Sequence, residues 1–144
     1  MPDFHETTVR VRYAETDQMG VVYHANYYVW FELGRTEMLR ATGINYKEME
    51  SRDDCYIVVA ESSCRYLRPA HYDDVLRIRT RVTEAKPRIL RIAYEVVNEA
   101  TTELLATGQT VHVICDKQGR TRSLPARYRT LFGIPEATVT PAAS

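Results

Sequence analysis

The sequence predicts an α+β fold: a five-stranded antiparallel sheet curled around one long helix. Three observations carry this. A helix-periodic segment, apolar on most of its sides, runs from Asn26 to about Thr42. From Cys55 to Cys115 the pattern is β throughout, in four consecutive runs. A helix apolar on most sides must be buried, and a single sheet buries it most economically by curling round it.

The elements follow in order. A first strand is expected at Thr7 to Tyr13, where Val9, Val11 and Tyr13 alternate with Thr8, Arg10 and Arg12. The loop Ala14 to Ala25 comes next, and Asn26 reads as the N-cap of the long helix. Tyr27, Trp30, Phe31, Gly34, Met38 and Ala41 share one helical face, and Tyr28, Val29, Leu33 and Leu39 add apolar bulk elsewhere. A mid-helix glycine costs roughly 1 kcal/mol against alanine, so Gly34 is read as allowing a close approach to the sheet. Gly43 fits the helix stop, and a short helical turn is expected at Tyr46 to Ser51.

Strands are expected at Cys55–Arg68, Val75–Val82, Arg88–Val97 and Glu103–Cys115. In the second of these, Val75, Arg77, Arg79 and Arg81 face one way and Leu76, Ile78, Thr80 and Val82 the other. Pro69, Asp73-Asp74, Lys86-Pro87 and Asn98 mark the turns. A last short helix begins near Pro125, and the tail Thr138 to Ser144 reads as frayed. One domain is expected over 1–144, with its core at about 7–133. Long edge strands need cover, and a second copy of the chain would supply it.

Bulk properties narrow the function. The 144 residues are 44 % hydrophobic and 26 % charged, an ordinary soluble globular composition. Nineteen Lys and Arg balance nineteen Asp and Glu, which argues against nucleic acid as the default partner. There is no long apolar run for membrane insertion, and the first residues do not read as a signal peptide. Cys55, Cys64 and Cys115 are isolated and lack CxxC spacing, which suits a reducing cytoplasm. The four histidines form no HExxH-type pair, so no metal site is expected.

The segment "VRYAETDQMGVVYHANYYVWFELGRTEML" (residues 11–39) resembles the N-terminal signature of hotdog-fold acyl-CoA thioesterases. Its D-x-x-G-x-V-Y/W-x-x-N-Y core is similar to the hydroxybenzoyl-CoA thioesterase type, which includes thioesterases associated with the Tol-Pal system. "ESSCRYLRPAHYDDVLRIRT" and "ATGQTVHVICDKQGRTRSLP" resemble the same family, so the likeness runs from about Thr8 to Phe132. It implies a hotdog fold, dimers with a continuous sheet that often pair into tetramers, and an active site at the dimer interface. The family's catalytic aspartate falls on Asp17, and its carbonyl-polarising helix-start amide falls at or beside His24. Related branches carry a glutamate on the helix, for which Glu32 and Glu37 are the local candidates. Coenzyme A enters only as part of the substrate; no separate cofactor is expected.

Thioester hydrolysis needs a carboxylate that attacks the carbonyl or activates water, and donors where charge develops on oxygen. Asp17 lies on a loop leading to a helix N-terminus, where unpaired N–H groups and a favourable dipole meet. The alternative for Asp17 is a turn or cap residue. Gly20 lets the loop turn or come close to a ligand. The His24 side chain is either a hydrogen-bond donor at the thioester or a structural histidine. Tyr13, Tyr23 and Tyr27 line the acyl pocket or pack the core. Glu32 selects a polar acyl group or is a solvated helix carboxylate, and Ser62 and Ser63 offer hydroxyls. Arg88, Arg120 and Arg122 are candidates for the phosphates of coenzyme A, against the default of surface arginines.

The reading expected is an acyl-CoA thioesterase assembled as a homodimer or homotetramer. The competing one is a non-hydrolytic acyl-CoA-binding or interaction protein on the same fold. A hotdog hydratase would pair His with Asp or Glu in a different motif, which is absent here. The acyl group stays open among short-chain, long-chain, hydroxybenzoyl and dihydroxynaphthoyl thioesters.

Overall fold

The computed structural model describes residues 4–134, so the frayed tail read at Thr138 to Ser144 lies outside the described residues. Five strands, β1 (His5–Arg10), β2 (Tyr56–Tyr66), β3 (Val75–Lys86), β4 (Ile89–Asn98) and β5 (Leu104–Cys115), form one antiparallel sheet in the order β1-β3-β4-β5-β2. Three helices join them: α1 (Asn26–Ala41), α2 (Tyr46–Ser51) and α3 (Ala126–Leu131). The sheet curls about α1, as expected for a hotdog fold.

Inward residues alternate along β3 and β4, where Leu76, Ile78, Leu90, Ile92, Tyr94 and Val96 are fully buried. They face Tyr27, Trp30, Phe31, Gly34 and Met38 of α1. Two glycines set the helix–sheet distance. A Cβ on Gly34 would meet Thr80 Oγ1 at 2.5 Å and Ile78 Cγ2 at 2.9 Å, so the close approach read from the sequence is real. A Cβ on Gly108 would meet the Phe31 ring at 2.4 Å, and that ring is stacked on Tyr94 at 4.3 Å.

Several boundaries differ from the sequence reading by one to four residues, and three of them have a clear local reason. β1 ends at Arg10 rather than Tyr13, because its partner β3 begins at Val75, opposite Arg10. The chain then closes a 3₁₀ turn over Tyr13–Glu15. β3 continues to Lys86, because a register shift between Val82 and Glu84 carries the ladder past the expected end. Pro125 is the cap of α3 and not its first helical residue.

The helix is apolar on most sides, yet only one side is covered by this chain. Val29 is 58 % exposed on the far side. β2 pairs with β5 along one edge only and is exposed along most of its length.

Candidate active site

The loop before α1 folds into a small hairpin. Thr16 bridges Val22, the Asp17 N–H donates to the Val21 carbonyl at 2.8 Å, and the Gly20 N–H donates to the Asp17 carbonyl at 3.0 Å. Gly20 has φ of +79°, a left-handed conformation that glycine adopts without strain. Its place is this turn. It shapes the loop and is not among the residues that line the cleft beside it. The Asp17 side chain is exposed; one carboxylate oxygen accepts the Met19 N–H at 2.8 Å, and no cation pairs with it among the described residues.

Asn26 does not cap the helix. Ala25 holds the cap position in a helical conformation, and Asn26 is the first helical residue. Its side-chain amide donates instead to the Glu15 carbonyl at 2.8 Å, which also accepts the Tyr23 N–H at 2.9 Å. Glu15 is itself buried: its carboxylate accepts the Arg12 N–H at 2.7 Å and the Trp30 indole N–H at 3.3 Å. These bonds tie the Asp17 loop to the helix start. Nothing in "YAET" distinguishes this buried acid from a solvated one.

The N–H groups of Asn26, Tyr27 and Tyr28 donate back to the carbonyls of Tyr23, His24 and Ala25. The unpaired helix-start donors are thereby displaced toward the loop. Among the described residues, the amides of His24 and Ala25 have no hydrogen-bond partner.

An open cleft of about 380 Å³ joins these parts. It is lined by Asp17, His24 and Tyr27, by Val21 and Val22, and by the segment from Tyr66 to Pro69 at the end of β2. Tyr27 is buried; burial first, then the neighbouring Cys64 thiol, pushes its phenol up to about 12. The exposed His24 ring lies between Tyr23 at 4.5 Å and Tyr66 at 6.2 Å. Tyr66 and Arg68 are the residues that the sequence reading missed. They join Asp17 only through sheet register, some fifty positions along the chain.

The other expected residues lie elsewhere. Tyr13 is exposed, edge-on to Tyr72, and lines no part of the cleft. Tyr23 touches the site only through His24. Glu32 lines a second cavity of about 250 Å³ between α1 and β2, with Arg35, Ser62 and Thr110. Glu37 pairs with Arg40 at 2.6 Å. Ser62 pairs with inward-facing Thr110 and lines the cavity beside Glu32, whereas Ser63 pairs with Gln109 on the opposite face of the sheet.

Arg88, Arg120 and Arg122 are not gathered at Asp17 within one chain. They sit near the Tyr56 end of β2, about 33 Å along the strand from Tyr66 by strand rise. The Arg88 Nε–H reaches Ser123 Oγ at 3.5 Å, Arg120 approaches Asp116 at 3.8 Å, and Arg122 donates to the carbonyls of Asp53 at 2.7 Å and Asp54 at 3.0 Å. The arginine at the cleft is Arg68.

Among the described residues, no cluster of His, Cys, Asp or Glu is suited to hold a metal, and no helix is long and apolar enough to cross a membrane.

Comparison with known proteins agrees with this fold. The profile of the Thioesterase-like superfamily matches residues 11–139. YneP of Bacillus subtilis, a protein provisionally named an acyl-CoA thioesterase, is 36 % identical over 86 % of this chain and 86 % of its own. The acyl-CoA thioester hydrolase YbgC of Escherichia coli O157:H7 is 34 % identical over 81 % of this chain and 87 % of its own. The crystal structure of the DHNA-CoA thioesterase from Staphylococcus aureus superposes with a TM-score of 0.86, at 28 % identity, covering 90 % of this chain and 89 % of that one. The chain belongs to the Thioesterase-like superfamily and is a hotdog-fold thioester hydrolase.

Proposed function

We propose that the protein hydrolyses acyl-CoA thioesters to a carboxylic acid and free coenzyme A, with Asp17 as nucleophile or general base. The observation that carries this is one cleft holding an exposed carboxylate without a cation, opposite a helix start with two unpartnered amides. Oxygen adds to the thioester carbon, and the carbonyl electron pair moves onto oxygen. The His24 and Ala25 amides hold that charge. When the pair returns, the C–S bond breaks and the thiolate leaves to take up a proton.

The Arg68 guanidinium at the cleft mouth suits a phosphate of coenzyme A, although it also pairs with Glu103 at 3.2 Å. The open edge of β2, with Val58 and Val59 exposed beside Val29, supports assembly with a second copy. Antiparallel pairing of two β2 edges would set the Tyr56 end of one copy, with its Arg88 and Arg120, against the Tyr66 end of the other. The three unpaired thiols support a reducing cytoplasm as its location.

The test is a hydrolysis screen over aliphatic and aromatic acyl-CoAs, with Asp17→Asn as control. Asp17→Asn is expected to bind CoA esters and to lose turnover. Unchanged turnover in Asp17→Asn sinks the mechanism, and no hydrolysis of any panel member by the wild type favours a binding protein. Single turnover in oxygen-18 water separates the two routes, since only covalent attack leaves label in Asp17.

A further inference from the structure

We infer that Tyr66 is a positioning residue for hydrolysis: its hydroxyl fixes the peptide plane that turns the Ala25 N–H outward, toward the oxyanion. This rests on the reading that Asp17 and the helix start form the hydrolytic site. Tyr66 is the last residue of β2 and stands forty-two positions from His24 in the chain. Its hydroxyl donates to the His24 carbonyl at 3.1 Å, and the Tyr27 N–H donates to the same oxygen at 3.3 Å. In a trans peptide the C=O of one residue and the N–H of the next point in opposite directions. With the His24 C=O held toward the helix and Tyr66, the Ala25 N–H must point away from the helix. The preceding peptide is held the same way, because the Asn26 N–H donates to the Tyr23 carbonyl at 3.0 Å. Two consecutive amides thus face outward together.

Without Tyr66, the His24–Ala25 plane would rest on one long bond in the first helical turn, the part of a helix that frays most readily. No side chain caps α1 to steady it, and Asn26 is committed to Glu15. Among the described residues, Tyr66 supplies the bond from the sheet to this peptide. Its ring is separately held, edge-on to Tyr27 at 5.1 Å and to His24 at 6.2 Å. Burial, and then the Cys64 thiol, push the phenol up, so it stays a donor through neutral pH. Because the ring contacts survive in Tyr66→Phe, that variant removes only the bonds of the hydroxyl, to the His24 carbonyl and to the Cys64 thiol.

The experiment compares wild type, Tyr66→Phe and Asp17→Asn on butyryl-, lauroyl- and benzoyl-CoA. Binding of two probes is measured alongside: S-trifluoroacetonyl-CoA, whose carbonyl becomes an oxyanion when attacked, and S-propyl-CoA, which has no carbonyl. Loss of a whole oxyanion donor costs about 100- to 1,000-fold in turnover. A donor left in place but free to swing should cost about 10-fold in kcat, with KM changed by no more than about twofold. Tyr66→Phe should weaken S-trifluoroacetonyl-CoA by a similar factor and leave S-propyl-CoA unchanged. Wild-type kcat in Tyr66→Phe beside an inactive Asp17→Asn overturns this inference and leaves the proposed function standing. Equal weakening of both probes with a lowered Tm makes Tyr66 a structural residue and also overturns it. An active Asp17→Asn overturns the underlying reading.

Discussion

The two ends of β2 treat their polar groups in opposite ways. At the Tyr56 end the charges of Asp53, Arg122 and Arg127 are committed within the chain. The half-buried Asp53 carboxylate accepts the Arg127 guanidinium at 2.8 Å and the Tyr128 hydroxyl, and Arg122 bridges two backbone carbonyls. The Asp54 carboxylate accepts the Lys117 N–H at 2.9 Å. Beside them, burial pushes the Cys55 thiol up to about 11, so it stays an inert thiol. At the Tyr66 end Asp17 has no cation and two amides have no acceptor among the described residues. Polar groups that satisfy one another hold a fold together and have nothing left to offer a substrate. Groups held in place with unused valence have that capacity.

The sharpest way to break this division is Asp17→Asn. Asparagine keeps the turn, because its side-chain oxygen also accepts the Met19 N–H. Turnover should fall by about 1,000-fold, within the range for loss of a positioned acid or base. Stability should change by less than about 0.5 kcal/mol, as for an exposed site. Urea unfolding beside initial rates checks both. The reverse pattern should hold at the other end. Asp53→Ala leaves the buried Tyr128 O–H without its acceptor, although Arg127 still donates to the Tyr128 oxygen, so it should cost about 2 kcal/mol of stability while kcat per folded molecule holds. A loss of turnover at unchanged stability would show that the paired end also serves catalysis.

Acid separates the ends further. Between them, an Arg35 N–H donates to the Tyr94 hydroxyl at 3.4 Å, Tyr94 shares a bond with Thr110 at 2.6 Å, and Thr110 shares one with His112 at 2.7 Å. His112 is fully buried, and burial first, then Arg35, lowers its pKa from 6.5 to about 4. Between those values the unfolded chain binds a proton that the folded chain refuses. The stabilisation is therefore complete above pH 6.5 and declines as pH falls toward 4. From pH 7 to pH 5 the wild type should lose about 2 kcal/mol that His112→Gln does not lose. Parallel curves for the two proteins in pH-dependent urea melts would rule His112 out as the group responsible.

What could be read without coordinates divides along similar lines. The long helix, the β3 alternation and the close approach at Gly34 were legible, because each is a local pattern with one packing solution. Asp17 and the amide at or beside His24 stood out as candidates through the family signature. Tyr66 and Arg68 were not legible, since only the pairing of β2 with β5 and the path of the loop bring them to Asp17. Ser62 and Ser63 were indistinguishable, because the register shift between Val59 and Glu61 decides which of them faces inward. Where the arginines stand relative to the cleft was not legible either, because a cation's charge is visible in a sequence and its carbonyl partners are not.

The smallest expected effect tests whether the division holds for one chain or for two. Arg122→Met keeps the aliphatic stem and removes the bonds to the Asp53 and Asp54 carbonyls, so it should cost about 1 kcal/mol of stability. Its KM for acyl-CoA should stay within about twofold of wild type, since the guanidinium is already committed. Arg68→Met, at the cleft mouth, should raise KM about threefold through one lost phosphate contact, with kcat held. If Arg122→Met raises KM and Arg68→Met does not, the Tyr56 end of one copy must reach the cleft of another. Structural and catalytic ends would then be properties of a single chain that its assembly brings side by side, as antiparallel pairing of two β2 edges would do.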